Sequence, residues 1–161
     1  MDQFNSAETD AIKGTLGLSA DEMGNDSTIE MHWAMKAFHH AETYFNLITS
    51  LDPKILKISK IDDKIYETFR KDFPDMKIDV LDEDEMKSPE GKQKWRTFCE
   101  KFDNQVPDWN MGSLVRLKAD GEISQDNTTI VPRIQFLAIE VARNREGLNS
   151  GLQAKYGKSA S

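Results

Sequence analysis

Cysteine is nearly absent from the chain, with Cys99 the only one in 161 residues. A lone thiol closes no intramolecular disulfide and cannot supply the two to four thiolates of a usual structural zinc site. A reducing compartment fits. No stretch approaches the roughly 18 uncharged apolar residues that cross a bilayer. The opening MDQFNSAETDAIKG is acidic where a secretory leader needs a basic flank and an apolar run. These absences lead us to expect a soluble, cytoplasmic protein without membrane contact. Positive charge is also short: 21 Lys plus Arg stand against 28 Asp plus Glu, for a net charge of −7. The excess that neutralises phosphates is missing, so no nucleic-acid partner is expected. No Walker or dinucleotide glycine loop occurs, and Gly112-Ser113 lacks the Gly-x-Ser-x-Gly frame of a nucleophile elbow. Neither a cofactor nor a resident metal is expected.

What the chain does hold is core material. Hydrophobic residues make up 38% and include eight Phe, three Trp and three Tyr, enough for one domain to bury a core at this length without staples. We expect loose tails at residues 1–17 and 149–161 around a single globular unit, 18–148, acting as a monomer. Charge is polarised along it. Residues 1–30 carry seven acids against Lys13 alone, whereas residues 131–161 carry five bases against Glu140 and Glu146.

Local signals predict the elements. Ser27-Thr28-Ile29-Glu30 is a capping box opening a helix whose apolar arc includes Ala34, Ala37, Ala41, Phe45 and Ile48. That arc is wide enough for the helix to be touched on several sides. Asp52-Pro53 ends it and starts a short turn. Asp62 is placed to cap a second helix that Pro74 stops, and Ser88-Pro89-Glu90 opens a third with Trp95, Phe98, Cys99 and Phe102 on one face. A brief extended segment fits Met76, Ile78 and Val80, and the acidic run Asp82 to Glu85 reads as a solvated face. Residues 114–117 and 128–131 read as a hairpin. A last helix follows Pro132, with Ile134, Leu137, Ala138 and Val141 on its buried face and Gly147 at its end. The fold class is α+β, mostly helical, with about four main helices and a two-stranded antiparallel hairpin.

Few residues suggest chemistry. His39 and His40 point about 100° apart on a helix, so they cannot chelate one ion together, and a structural role is favoured for them and for His32. Cys99 in an aromatic stripe behaves as a small hydrophobe. Trp109, in a loop, is either a core plug or an interaction anchor. Arg133, Arg143 and Arg145 form a local basic excess; Glu140 and Glu146 at helical spacing can pair with Arg143. A protein-binding surface on this last helix, with Trp109 beside it, is the site expected from the residues.

Several segments together resemble a known eukaryotic family. They are Glu30-Met31-His32-Trp33-Ala34-Met35-Lys36-Ala37 with His40-Ala41-Glu42 and Tyr44, then Ile78 to Asp82, then Lys94-Trp95-Arg96 with Phe98-Cys99. The most distinctive runs from Pro132-Arg133-Ile134-Gln135-Phe136 to Arg143-Asn144-Arg145-Glu146-Gly147. The chain resembles the polysaccharide biosynthesis domain-containing protein 1 family. That resemblance implies a non-enzymatic cytosolic chaperone for the nascent GTP-binding domain of translation elongation factor 1A, and it carries over no catalytic residue. The alternatives are an enzyme or accessory protein of polysaccharide biosynthesis, as the inherited name suggests, or a general interaction scaffold.

Overall fold

A computed structural model describes residues 27–157, so the expected tail at 1–17 lies outside it. Helix α1 (Ser27–Ser50) begins at the capping box, although the side chain of Ser27 is outside the described residues. It buries Ala34, Ala37, Ala41, Tyr44 and Ile48, alternating steps of three and four that keep one stripe inward. The alanines let Leu114 of the sheet approach closely, while Tyr44 and Ile48 reach the main core. Asp52 then accepts the Lys54 amide at 3.0 Å and opens a single 3-10 turn, Pro53–Ile55, as the Asp-Pro pair predicts.

Helix α2 (Asp62–Asp72) corrects one expectation. Its cap position is Ile61, and the buried Asp62 carboxylate accepts the Ile58 amide at 2.9 Å and the Ser59 hydroxyl at 2.6 Å. Asp62 therefore folds the incoming loop onto the helix. The acidic run forms a one-turn helix, α3 (Glu83–Met86), because Asp82 accepts the Glu85 amide at 3.1 Å. Helix α4 (Pro89–Glu100) starts as predicted, with the Ser88 hydroxyl accepting the Gly91 amide at 3.0 Å.

Strands β1 (Gly112–Arg116) and β2 (Thr128–Pro132) pair antiparallel, Gly112 opposite Pro132 and Arg116 opposite Thr128. The extended segment expected near residues 76–80 contributes one bridge, Val80 to Lys118, flanked by backbone bonds of 2.8 Å from Leu81 to Leu117 and from Ala119 to Asp79.

Helix α5 (Arg133–Arg145) is the centre of the fold. A buried face widened by Phe136 and Ile139 was expected, but every residue from Ile134 to Asn144 is buried. The helices α2 and α4, both strands and the Pro53–Ile55 turn pack around it. Gly147, at φ 82°, ends it in the left-handed conformation that favours glycine. The segment expected to be a loose C-terminal tail is docked within its described part. Helix α6 (Leu152–Tyr156) buries Leu152 and sets Tyr156 against Phe45, ring centroids 5.6 Å apart. Leu152 and Tyr156 stand four apart, on one helical face, and this local pattern outweighs the small, polar composition around them. The six helices and one two-stranded sheet of the described residues make a mostly helical α+β fold.

Candidate functional site

The chemistry of the last helix turns inward. Arg116, Glu140 and Arg143 are each no more than 2% exposed. Arg143 Nη1 donates to Glu140 Oε2 at 2.8 Å, and Arg116 Nη2 donates to Oε1 at 3.2 Å. Tyr44 and Asn149 also donate to Oε1, each at 3.0 Å. Arg116 Nη2 also donates to Asn149 Oδ1 at 2.8 Å, and further guanidinium donors go to backbone carbonyls: Arg143 to Ile78 at 2.7 Å and Leu117 at 3.1 Å, Arg116 to Ala119 at 2.5 Å and Gly121 at 3.1 Å. Burial alone would raise the Glu140 carboxyl, but the two guanidinium groups outweigh it and hold it down at about 2. It is an ionised hub tying α1, β1, α5 and the loop before α6.

Arg143 is therefore removed from the expected contact surface. Of its two expected ion pairs only that with Glu140 forms, since Glu146 is taken by Arg70 at 2.7 Å and by the Tyr66 hydroxyl at 3.0 Å. Arg145 is exposed, but it pairs with Asp63 and lies over the Tyr66 ring, 5.4 Å from its centroid, at the opposite end of α5 from Arg133.

Trp109 and Arg133 do come together. The first two amides of α5 are satisfied by the loop before β1: Arg133 N donates to the Met111 carbonyl at 2.7 Å and Ile134 N to the Trp109 carbonyl at 2.9 Å. Asp108 at φ 55° turns that loop, a conformation Asp tolerates better than most residues. The half-buried Trp109 thus sits on one side of the helix start and Arg133 on the other, each lining a groove.

The α4/β2 groove has a volume of about 600 Å³; Met86, Trp95, Trp109, Val131 and Pro132 give it apolar walls, and Lys87, Lys92 and Arg96 outnumber the single acid, Glu100, among its lining residues. The second groove, about 630 Å³, lies between α1 and the start of β1, with Trp33, Met35 and Met111 beside His32, His40 and the cations Lys36 and Arg133. Gly112 sets this wall: a Cβ there would come within 2.3 Å of the Trp33 ring. His40 packs its ring edge-on against Phe136 at 5.4 Å. Burial, then the Arg133 charge, lower its pKa and favour the neutral imidazole. Cys99 is buried, and burial pushes its thiol up to about 12, a protonated small hydrophobe as its stripe predicts. Among the described residues no three His, Cys, Asp or Glu side chains gather as a metal site.

The family described as PBDC1 protein matches residues 29–154, nearly all of the described fold. The chain belongs to that family. Human protein PBDC1 is 50% identical over 151 residues, which cover 94% of this chain and 65% of the human protein. Mouse protein PBDC1 is 48% identical over 147 residues, 91% of this chain and 74% of that one. A Saccharomyces cerevisiae protein known from a solution NMR structure matches with a TM-score of 0.74 at 38% identity, covering 86% of this chain and 97% of its own.

Three of the PBDC1-like segments contribute to the two grooves. His32, Trp33, Met35, Lys36, Ala37 and His40 line one, Trp95, Arg96 and Cys99 the other, and Pro132 and Arg133 form the ridge between them. His32, Lys36, His40, Arg96 and Arg133 make no side-chain hydrogen bond or ion pair among the described residues. Sequence reasoning picked Trp109 and Arg133 but missed Lys36, Lys92 and Arg96, whose grooves arise from residues distant in sequence.

Proposed function

We propose that this protein is a non-catalytic chaperone that binds the nascent GTP-binding domain of translation elongation factor 1A, and that the corner around the start of α5 is its client surface. The supporting observation is the set of unpaired cations and aromatic walls at this corner, in a protein of net charge −7. The family-like Lys36, Arg96 and Arg133, whose side chains make no hydrogen bond or ion pair among the described residues, meet there, while the family-like Arg143 is absorbed in the fold. Opposite charge at a rim speeds encounter, and half-buried tryptophans serve as binding anchors. The buried Glu140 network turns its guanidinium groups onto Glu140, Asn149 and backbone carbonyls and supports the fold. The test is to synthesise the GTPase domain in a translation extract depleted of this protein. The soluble, protease-resistant, nucleotide-binding fraction should fall and return on add-back; an unchanged fraction would reject the reading.

A further inference from the structure

The α4/β2 groove contains a polar group that the fold holds only weakly. Gln135 is 5% exposed and borders the groove, yet its Nε2 has only the Met86 sulfur at 4.0 Å, and its Oε1 makes no hydrogen bond among the described residues. The oxygen is not sealed from solvent and stays open to a donor, the amine holds only the weak sulfur contact, and this donor-acceptor pair matches that of one peptide unit. Lys92 and Arg96 also make no ion pair or side-chain hydrogen bond among the described residues. Four apart on α4, they stand about 6 Å from each other on one helix face. Side chains on one face of an extended chain recur every two residues, about 7 Å, so two acids spaced acid-x-acid fit both cations at once. Trp109, Trp95 and Pro132 line the same groove and give it an apolar bed.

We propose that this groove binds an extended segment of a partner protein that carries an apolar anchor and two acidic residues two positions apart. The anchor rests against Trp109, the acids meet Lys92 and Arg96, and Gln135 pairs with one peptide unit. The inference rests on the reading that this corner meets a protein client, and it gives the mode of recognition: an unfolded segment, as a nascent chain presents.

The probe is a blocked eight-residue peptide with one phenylalanine and two aspartates in acid-x-acid spacing, titrated into the full chain by calorimetry and tryptophan fluorescence. Its lysine counterpart is the control. The acidic peptide should bind and the lysine peptide should not. Reversing both cations (K92E with R96E), on an exposed helix face, should keep the melting temperature, abolish binding of the acidic peptide and admit the lysine peptide. Gln135→Leu should weaken the acidic peptide about tenfold, as when a buried amide bond goes unmade. Equal binding of both peptides, or indifference to the reversal, overturns the proposal. So does a dimer of this chain that occupies the groove and yields to no peptide. If no peptide binds while the GTPase domain is still captured, this inference fails and the functional reading stands; if peptides bind as described but the domain is ignored, only the client is wrong.

Discussion

Replacing Glu140 with glutamine keeps the shape of the hub and removes its charge. In the native protein the carboxylate lies 2.8 Å from Arg143 and 3.2 Å from Arg116, with all three side chains almost wholly enclosed. The glutamine leaves two buried guanidinium groups without a counter-ion, and breaking a buried pair this way costs about 3–5 kcal/mol. The pH dependence gives a second handle. Holding the carboxyl at about 2 instead of 4.5 corresponds to about 3 kcal/mol of differential stabilisation, at about 1.4 kcal/mol per pH unit. Because the folded value is depressed, that contribution is fully present above about pH 4.5 and is lost as pH falls towards 2. Urea unfolding followed by tryptophan fluorescence should show a large gap between wild type and E140Q at pH 6. The gap should narrow progressively below pH 4.5. The comparison with E140Q cancels other carboxylates, such as Glu146, that also lose stabilisation in acid. A gap below about 1 kcal/mol at pH 6, or one that does not change with pH, would refute the hub.

Three further outcomes follow from packing. Gly112→Ala drives a methyl group into Trp33 and to 2.9 Å from Ile130, and should destabilise by about 1–3 kcal/mol, read as a lower melting temperature with altered tryptophan emission. Leu152→Ala should cost about 2–5 kcal/mol if α6 is docked, because the side chain is 1% exposed; a neutral result in urea titration would return this segment to a tail. Cys99, buried and with its thiol at about 12, should resist a disulfide reagent at pH 8 until denaturant is added.

Helix starts were the most legible part of the sequence, since Ser88 and Asp52 act on amides two or three residues ahead and need no tertiary context. Asp62 misled because its partners, Ile58 and Ser59, precede it, and a cap is sought in the residues that follow. Arg143 misled for a deeper reason. Counting helical neighbours treated α5 as a surface helix, but its carbonyl partners are 65 and 26 residues away. A signal was present: from Ile134 to Ala142 only Gln135 and Glu140 are polar, and a helix apolar all round is an interior one. Polar residues in such a helix must find buried partners. Glu140 finds them in full, and Gln135 finds only the Met86 sulfur. The grooves were illegible because α4 and β2, or α1 and β1, meet only in the folded chain. Trp109 and Arg133 were readable as candidates, but their shared position at the start of α5 was not.

The most direct test of the client surface is capture of newly synthesised elongation factor 1A GTPase domain by the full chain carrying Trp109→Ala with Arg133→Glu, compared with Arg145→Glu. Both variants should melt as folded proteins. The account predicts that the Trp109 and Arg133 variant loses capture while the Arg145 variant, at the far end of α5, keeps it. Full capture by the first, or loss confined to the second, would contradict it.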